Sequence, residues 1–284
     1  MKSQIVNALI NVLDKLGLDG DRIAFKVAIF AYKLGLKNKI DNSKPFDFGD
    51  FKLYIDQHDT LQVAGHGRFE EAEFNALMSF LREDSVMVDI GANMGYYTVR
   101  AAQKLKRGKV IAFEPDPGNF AILQKNVAIN QLSNVVLNNA ALSNRTETMR
   151  LYKHPFNVGD YRLYNDGDFT EFVDVPTLQL DDAVSERIDL IKIDVQGFEY
   201  FALSGAYQLL TRFHPVVFSE FWPRGLHNSG ASPTTYLNMM EELGYTVSLI
   251  NEINQRIEPQ SYEALRILSE EPTNRYVNLI FQRP

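Results

Sequence analysis

The sequence predicts an α/β fold, a doubly wound and mostly parallel sheet covered by helices on both faces. Between Val86 and Phe221, short β-branched runs alternate with segments of helical periodicity. The strand segments are almost continuously apolar, which is typical of parallel strands buried on both faces. Two further apolar runs near the carboxyl terminus have no predicted helix between them. They indicate an antiparallel pair that closes the sheet.

The elements of this sheet follow one another in a regular order. An amphipathic helix is predicted over residues 69–81, with Phe74, Leu77, Phe80 and Leu81 facing the core. Strands and helices then alternate through VMVDI, YTVRAAQKL, KVIAFE, NFAILQKNVAIN, NVVLNNAAL, IDLIKIDV, FALSGAYQLL and PVVFSEF. The closing pair is YTVSLIN and YVNLIFQR. The segment from Arg145 to Pro176 breaks the alternation, and we interpret it as a long functional loop.

Residues 1–68 are predicted to form an extension to a main domain at 69–284. Residues 1–36 have the apolar spacing of amphipathic helices, and residues 47–59 alternate like a strand. The first segment lacks the apolar core of a signal peptide, and no apolar run is long enough to cross a bilayer. We therefore expect a cytoplasmic protein without a transmembrane span, whose N-terminal helices cap the domain.

The composition excludes several functional classes. The 284-residue chain has no cysteine, which excludes a disulfide scaffold, cysteine metal ligands and thiol catalysis. Its formal net charge of -7 argues against nucleic acid as the main partner. We expect a globular protein of one large domain, or of one domain with an appendage.

The stretch VMVDIGANMGYYTV, which begins at residue 86, carries the first sign of a ligand site. In a doubly wound sheet, ligands bind beyond the carboxyl ends of the strands, where this turn lies. Gly91 permits a tight turn, and Gly95 lets the backbone or the next helix approach a ligand without an intervening Cβ. Asp89 could hold an ammonium group, directly or through water. Glu114 ends the next predicted strand and is placed to accept hydrogen bonds from both hydroxyls of a ribose.

These residues favour a ligand made of adenosine and an amino acid. A dinucleotide site prefers G-x-G-x-x-G, but Asn93 and Tyr96 occupy the second and third glycine positions. This turn is therefore poorly suited to binding a pyrophosphate. S-adenosylmethionine supplies a ribose for Glu114 and an amino-acid end for the glycine turn.

Five blocks of the sequence, taken in order, resemble the FkbM family of S-adenosylmethionine-dependent methyltransferases. They are VDIGANMGYYT, AFEPDPGNFAILQKNV, NAALS, TLQLDD and IDLIKIDVQGFEYFALSGA, and the resemblance extends over residues 70–221. It implies a class I, Rossmann-like methyltransferase sheet of seven strands with a reversed final hairpin. It also implies O-methylation, because known members of the family modify hydroxyls on sugars and polyketide-type natural products. We expect the acceptor to be a glycan, glycolipid or secondary metabolite.

The predicted cofactor site extends beyond the glycine turn. Pro115 follows the acid of the second strand, and Asn139 and Ala140 end the third strand, where adenine would lie. Of the neighbouring Tyr96 and Tyr97, one is expected to line the cofactor pocket and the other to pack under the first helix.

Methyl transfer is expected beyond the fourth and fifth strands. Asp194 is the first candidate for the base that takes the acceptor's proton, with Glu220 and His154 as further candidates. Glu199 and Trp222 are candidates for acceptor binding. Helix capping is the alternative for Glu199, and sealing of the core is the alternative for Trp222.

Other interpretations stay open at this stage. Asp194, Glu199 and Glu220 could together bind a divalent cation, but no metal-ligand spacing is present and no metal is predicted. Lys192 could form an ion pair with Asp194, two residues further along the same strand. The alternative functions are a catalytically silent module that binds S-adenosylmethionine or a nucleotide, and a nucleotide-dependent oxidoreductase. The oligomeric state is left open.

Overall fold

The computed structural model describes residues 42–56, 70–154, 157–167, 169–251, 255–270 and 276–283. The helices predicted over residues 1–36 lie outside these ranges. The domain boundary predicted between residues 68 and 69 stays a prediction, because residues 57–69 are also outside them. Among the described helices, none has the length and apolar character needed to span a membrane.

The described ranges contain thirteen strands and nine helices. The strands are β1 Phe46–Asp47, β2 Lys52–Leu53, β3 Val86–Ile90, β4 Lys109–Phe113, β5 Val135–Asn138, β6 Ala141–Leu142, β7 Glu147–Lys153, β8 Glu171–Leu178, β9 Leu190–Ile193, β10 Val216–Phe221, β11 Thr246–Asn251, β12 Arg256–Gln260 and β13 Val277–Gln282. The helices are α1 Glu71–Phe80, α2 Tyr96–Lys104, α3 Pro117–Ile129, α4 Leu180–Ala183, α5 Glu199–Ser204, α6 Tyr207–Phe213, α7 Pro223–Asn228, α8 Pro233–Glu242 and α9 Tyr262–Glu270.

Eight strands form the main sheet, in the order β12-β11-β13-β10-β9-β3-β4-β5. The five strands from β10 to β5 are parallel to one another. Strand β13 lies antiparallel between β10 and β11. The predicted doubly wound, mostly parallel sheet with an antiparallel carboxyl-terminal strand is thereby confirmed. An eighth strand, β12, joins the seven expected ones by pairing antiparallel with β11 at the edge.

The chain between β11 and β13 differs from the sequence prediction, which placed no helix there. It contains β12 and helix α9, whose Leu265 is buried in the core. Ser261 precedes α9 and accepts a hydrogen bond on its Oγ from the backbone N–H of Ala264. A serine in this position is a common helix start signal, so the sequence did carry evidence for this helix.

A second, three-stranded sheet replaces most of the long loop predicted from Arg145 to Pro176. Strands β7 and β8 pair antiparallel from Glu147 opposite Thr177 to Lys153 opposite Glu171, and β6 pairs with β8. The loop prediction is therefore wrong for both ends of the segment. These strands are mostly exposed or half-buried, so they lack the continuous apolar run that revealed the main sheet.

The main sheet is buried between helices, as its apolar strands predict. One face forms a cluster that joins Val88, Ile191 and Val217 with helix residues such as Leu210 and Tyr236. The strand alternation predicted near residue 50 is also visible, since residues 51, 53 and 55 are buried around the short β1–β2 hairpin. Burial of both sheet faces leaves the strand ends as the place where a ligand can reach the sheet.

Candidate active site

A cleft opens beyond the carboxyl ends of β3, β4 and β9, where the strand order of the sheet reverses. Its volume is about 950 Å³, including the part open to solvent. This is the position at which doubly wound sheets bind their ligands. Among the predicted cofactor residues, those that line the cleft are Gly91, Asn93, Tyr96, Glu114, Pro115 and Ala140.

The turn after β3 brings the backbone of Gly91 close to the end of β9. Gly91 has a φ of +77°, and a Cβ at this position would lie 2.1 Å from the carbonyl oxygen of Asp194. The next residues continue the tight turn, with Asn93 also at positive φ. Glycine at residue 91 is thus required both by its backbone conformation and by the neighbouring strand end.

Gly95 serves helix packing and does not line the cleft. A Cβ there would lie 2.4 Å from the Cδ1 atom of Leu123, so the absent side chain makes room for α3. The sequence analysis placed a ligand in this space. The physical need for glycine was identified correctly, but its neighbour is a helix.

Glu114 ends β4 and is held by two backbone donors. Its Oε2 accepts a hydrogen bond from the N–H of Asn93 at 2.8 Å, and its Oε1 accepts one from the N–H of Asp116 at 2.9 Å. Burial raises the pKa of this carboxyl to about 7, although both hydrogen bonds favour the ionised form. Each carboxylate oxygen keeps further acceptor capacity, so the group can receive two hydroxyls.

Asp89 lies beneath the cleft and does not line it. Its Oδ2 accepts a hydrogen bond from the hydroxyl of Thr98 at 2.5 Å, and its Oδ1 is 3.6 Å from Nζ of Lys192. Lys192 is the register partner of Asp89 on β9, and its ammonium donates to the carbonyl oxygen of Gly91 at 3.2 Å. Asp89 therefore supports the turn through Lys192, which pairs across the strands and not with Asp194 as the sequence suggested.

Asn139 also supports the cleft from outside. Its Nδ2 donates to the carbonyl oxygens of Glu114 and Pro115, which ties the end of β5 to the turn after β4. Its neighbour Ala140 lines the cleft. Of the two residues predicted to contact adenine, Asn139 thus has a structural role and only Ala140 lines the cleft.

Both Tyr96 and Tyr97 line the cleft, whereas the sequence analysis expected only one of them there. The Tyr96 hydroxyl donates to Glu71, and the Tyr97 hydroxyl donates to Oε2 of Glu70 at 2.8 Å. The start of α1 is therefore attached to the start of α2 at the wall of the cleft.

An acidic wall separates the cleft from a smaller adjoining cavity. Glu70 and Asp194 line both spaces, and Glu220 lines the smaller one. The side-chain amide of Gln196 donates to Asp194 at 2.8 Å and to Glu220 at 3.3 Å. Burial, aided by the charge of Asp194, raises the pKa of Glu70 to about 8 and holds that of Glu220 well above its usual range.

The one cation that lines these spaces among the described residues is Lys192. Burial lowers its pKa, but the carboxylates of Asp89 and Asp194 outweigh burial and the pKa is raised. Sequence analysis missed the roles of Glu70 and Lys192. The alternation of side chains along β9 places Lys192 and Asp194 on the same face of the sheet. No sequence pattern near Glu70 indicates that this residue lies at the strand ends.

Three of the residues predicted to contact the acceptor line neither the cleft nor the adjoining cavity. Glu199 is fully buried, and its Oε1 accepts hydrogen bonds from the N–H groups of Val195 and Gly197, which stabilises the turn after β9. Trp222 is buried under the guanidinium of Arg162, 4.8 Å away, and His154 accepts a hydrogen bond on Nδ1 from a neighbouring backbone N–H. Their predicted contacts with the acceptor are not supported by these positions.

Among the residues that the structure describes, no group of three or more His, Asp or Glu side chains is arranged to hold a metal ion. The cleft does fit S-adenosylmethionine. Glu114 offers two acceptors for the ribose, and Oδ1 of Asn93 is a buried oxygen without a hydrogen-bond partner among the described residues. Apolar Ala140 and Leu142 provide a surface for the base, while Asp194 supplies negative charge for a cationic ligand.

Comparisons with known proteins agree with this geometry. The family model "Methyltransferase FkbM domain" matches residues 89–247. "Methyltransferase 1" of Beauveria bassiana is 27% identical over 146 residues, covering 43% of this chain and 59% of the relative. "2-O-methyltransferase NoeI" of Sinorhizobium fredii is 29% identical over 174 residues, covering 51% of this chain and 67% of the relative.

The crystal structure of an FkbM methyltransferase from Methylobacillus flagellatus is 18% identical and superposes with a TM-score of 0.45. The match covers 71% of this chain and 44% of that one. The chain thus matches less than two thirds of the Beauveria relative and less than half of the Methylobacillus protein. The family model covers more than half of the present chain and confirms S-adenosylmethionine as the cofactor predicted from the sequence. This protein belongs to the FkbM methyltransferase family.

Proposed function

We propose that this protein is an S-adenosylmethionine-dependent O-methyltransferase that acts on a hydroxyl of a glycan, glycolipid or secondary metabolite. The observation that carries the proposal is that Glu114 and Asp194 line one cleft on opposite sides of the glycine turn. They follow β4 and β9, the two neighbours of β3 in the sheet. One carboxylate is thus available to a ribose and the other to an acceptor. The activity in the name of NoeI, 2-O-methylation, supports an oxygen acceptor.

The cofactor would be held by residues of the three strand-end turns. Glu114 would accept the ribose hydroxyls, the turn at Gly91 and Asn93 would take the amino-acid end, and Pro115 and Ala140 would border the base. When bound, S-adenosylmethionine supplies an electrophilic methyl group on a sulfonium that is a good leaving group. The protein must therefore align the acceptor and exclude water.

Asp194 is proposed to accept the proton of the acceptor hydroxyl. It reaches the cleft from the end of β9, and Gln196 orients its Oδ1. General-base assistance of this kind contributes about 10²- to 10⁴-fold to a rate. Glu220 is a weaker candidate because it lines the adjoining cavity and not the cleft, and because burial and the charge of Asp194 raise its pKa, which favours its protonated form.

Calorimetric titration with S-adenosylmethionine, S-adenosylhomocysteine and NAD tests the cofactor assignment. We expect micromolar binding of the first two and none of NAD, with binding weakened in Glu114→Ala. Transfer of a labelled methyl group to panels of glycans, glycolipids and hydroxylated metabolites then tests the acceptor class. Binding without transfer to any acceptor would favour the silent module, whereas binding of NAD alone would favour an oxidoreductase.

A further inference from the structure

The segment between β7 and β8 forms one wall of the cleft, although it lies far in sequence from the three turns that form the rest. We call residues 157–167 the cleft strap. Four of its residues line the cleft, namely Val158, Gly159, Tyr161 and Leu163. Neither the family model nor the sequence motifs assign these residues a role.

Hydrogen bonds attach the cleft strap to the turns that would hold the cofactor. The carbonyl oxygen of Val158 accepts from the side-chain amide of Asn119 at 3.0 Å and from that of Asn93 at 3.4 Å. Farther along, the hydroxyl of Tyr164 donates to the carbonyl oxygen of Gln196 at 2.8 Å. The strap is therefore joined to the turns after β3 and β9 and to the first turn of α3.

A contact with Lys153, which in turn pairs with Asp116, fixes the position of the Tyr161 ring. Nζ of Lys153 lies 5.0 Å from the centroid of that ring and 2.6 Å from a carboxylate oxygen of Asp116. Asp116 in turn caps α3 by accepting hydrogen bonds from two backbone N–H groups. The ring is thus held beside the turn that carries Glu114, where the ribose would be recognised.

The wall near Tyr161 is chemically suited to a flat, apolar ring. Leu142, Leu151 and Leu163 line the same cleft, and the first two are almost fully buried. Burial raises the pKa of the Tyr161 hydroxyl, so the phenol stays neutral near physiological pH. An aromatic ring beside aliphatic side chains offers a flat, apolar surface on which a heterocyclic base can stack.

We propose that the cleft strap is a cofactor-binding element in which Tyr161 contacts the adenosine part of S-adenosylmethionine. The inference rests on the cofactor assignment and goes beyond it, because it gives a binding role to the segment that connects β7 and β8. Tyr161 and the aliphatic side chains bind the base, and Glu114 binds the ribose.

The test compares cofactor binding by the full chain and three variants. Isothermal titration with S-adenosylhomocysteine and, separately, with adenosine is carried out on wild type, Tyr161→Leu, Tyr161→Phe and Tyr152→Leu. Tyr152 is a matched control because it lies on the adjacent strand β7, packs on Phe172 and does not line the cleft. Thermal unfolding of each variant confirms that it folds.

We expect Tyr161→Leu to weaken the binding of both ligands by about tenfold, because it removes the stacking of an aromatic ring on the base. Tyr161→Phe should keep affinity within about twofold, because it retains the ring. Tyr152→Leu should bind like wild type. Unchanged affinity in Tyr161→Leu, or equal weakening in Tyr152→Leu, would overturn the inference. Weakening of S-adenosylhomocysteine without weakening of adenosine would also overturn it, by placing the ring against the amino-acid end.

A second measurement covers the case in which Tyr161→Leu does not fold. Hydrogen exchange of wild type should slow in residues 157–167 when S-adenosylhomocysteine is added, and an unprotected strap would contradict the proposal. Failure of wild type to bind S-adenosylhomocysteine at all would overturn both the cofactor assignment and this inference. A further outcome is that wild type binds normally while Glu114→Ala loses binding and Tyr161→Leu keeps it. That result would support the proposed function and would contradict a role of the cleft strap in cofactor binding.

Discussion

The carbonyl oxygen of Asp194 occupies the place where Gly91 would carry a side chain, 2.1 Å from an ideal Cβ position. The backbone of Asp194, which carries the proposed catalytic carboxylate, therefore lies against the turn that would receive the amino-acid end of the cofactor. This contact explains why the cofactor turn and the acceptor side of the cleft must be built as one unit.

Replacement of Gly91 by alanine should lower both stability and cofactor affinity. The left-handed backbone costs a non-glycine residue about 1–2 kcal/mol, and the clash with Asp194 adds to that cost. Gly49→Ala is the matched control, since Gly49 has a φ of +90° and nothing within 4 Å of its ideal Cβ. Urea unfolding should show a larger loss for Gly91→Ala than for Gly49→Ala. Equal losses would mean that the contact with Asp194 is unimportant.

Cofactor affinity should increase with pH because of Glu114. The pKa of this carboxyl is about 7 in the ligand-free protein, and the ionised form is the better acceptor for ribose hydroxyls. The affinity for S-adenosylhomocysteine should rise by about tenfold between pH 6 and pH 8, as the ionised fraction rises. Glu114→Gln should bind at least about tenfold more weakly and without this pH dependence. Calorimetry at several pH values checks both, and a pH dependence that persists in Glu114→Gln would assign it to another group.

Asp194→Asn should greatly slow methyl transfer and preserve the binding of S-adenosylhomocysteine, which lacks the positive charge of the sulfonium. The amide keeps an oxygen that Gln196 can reach, but it cannot take a proton from the acceptor. We expect kcat to fall by about 10²- to 10⁴-fold, with the affinity for S-adenosylhomocysteine nearly unchanged. Asp174→Asn, on the exposed part of β8, is the control. Retention of full turnover by Asp194→Asn would exclude Asp194 as the base.

Glu199 should make stability decrease as the pH rises. Burial raises its pKa from 4.5 to about 7, so the folded protein binds the proton more tightly than the unfolded chain. Its stabilising contribution is complete below pH 4.5 and is lost as the pH rises through 7, a change of about 3 kcal/mol.

Glu199→Gln removes the titrating group but keeps an oxygen for the N–H groups of Val195 and Gly197. The free energy of unfolding of this variant should therefore fall less between pH 5 and pH 8 than that of wild type. Urea unfolding across this range provides the measurement. The exposed Glu242→Gln should follow wild type, and identical pH slopes for all three proteins would show that Glu199 does not titrate in this way.

The sequence alone was sufficient for seven of the eight strands of the main sheet and for the residues that its turns carry into the cleft. Strands such as β3 and β4 are buried on both faces, so their apolar runs are visible without any knowledge of their neighbours. Because Gly91, Asn93 and Glu114 follow these strands directly, their place at the strand ends is a local property of the chain. The family resemblance rests on the same local blocks and was confirmed.

The tertiary structure decided which of the singled-out side chains face the ligand. Asp89, Gly95 and Glu199 meet Lys192, Leu123 and the turn after β9, contacts that depend on strand register and helix packing. Glu70 reaches the cleft from the start of α1, and Tyr161 reaches it from the segment between β7 and β8. No local sequence pattern predicts these positions. Periodicity reports which face of an element is buried, whereas the identity of the opposing group depends on segments distant in sequence. The glycine turn could therefore be predicted from the sequence. The walls of the cleft could not, because they are formed by segments that are distant in sequence and meet only in the folded protein.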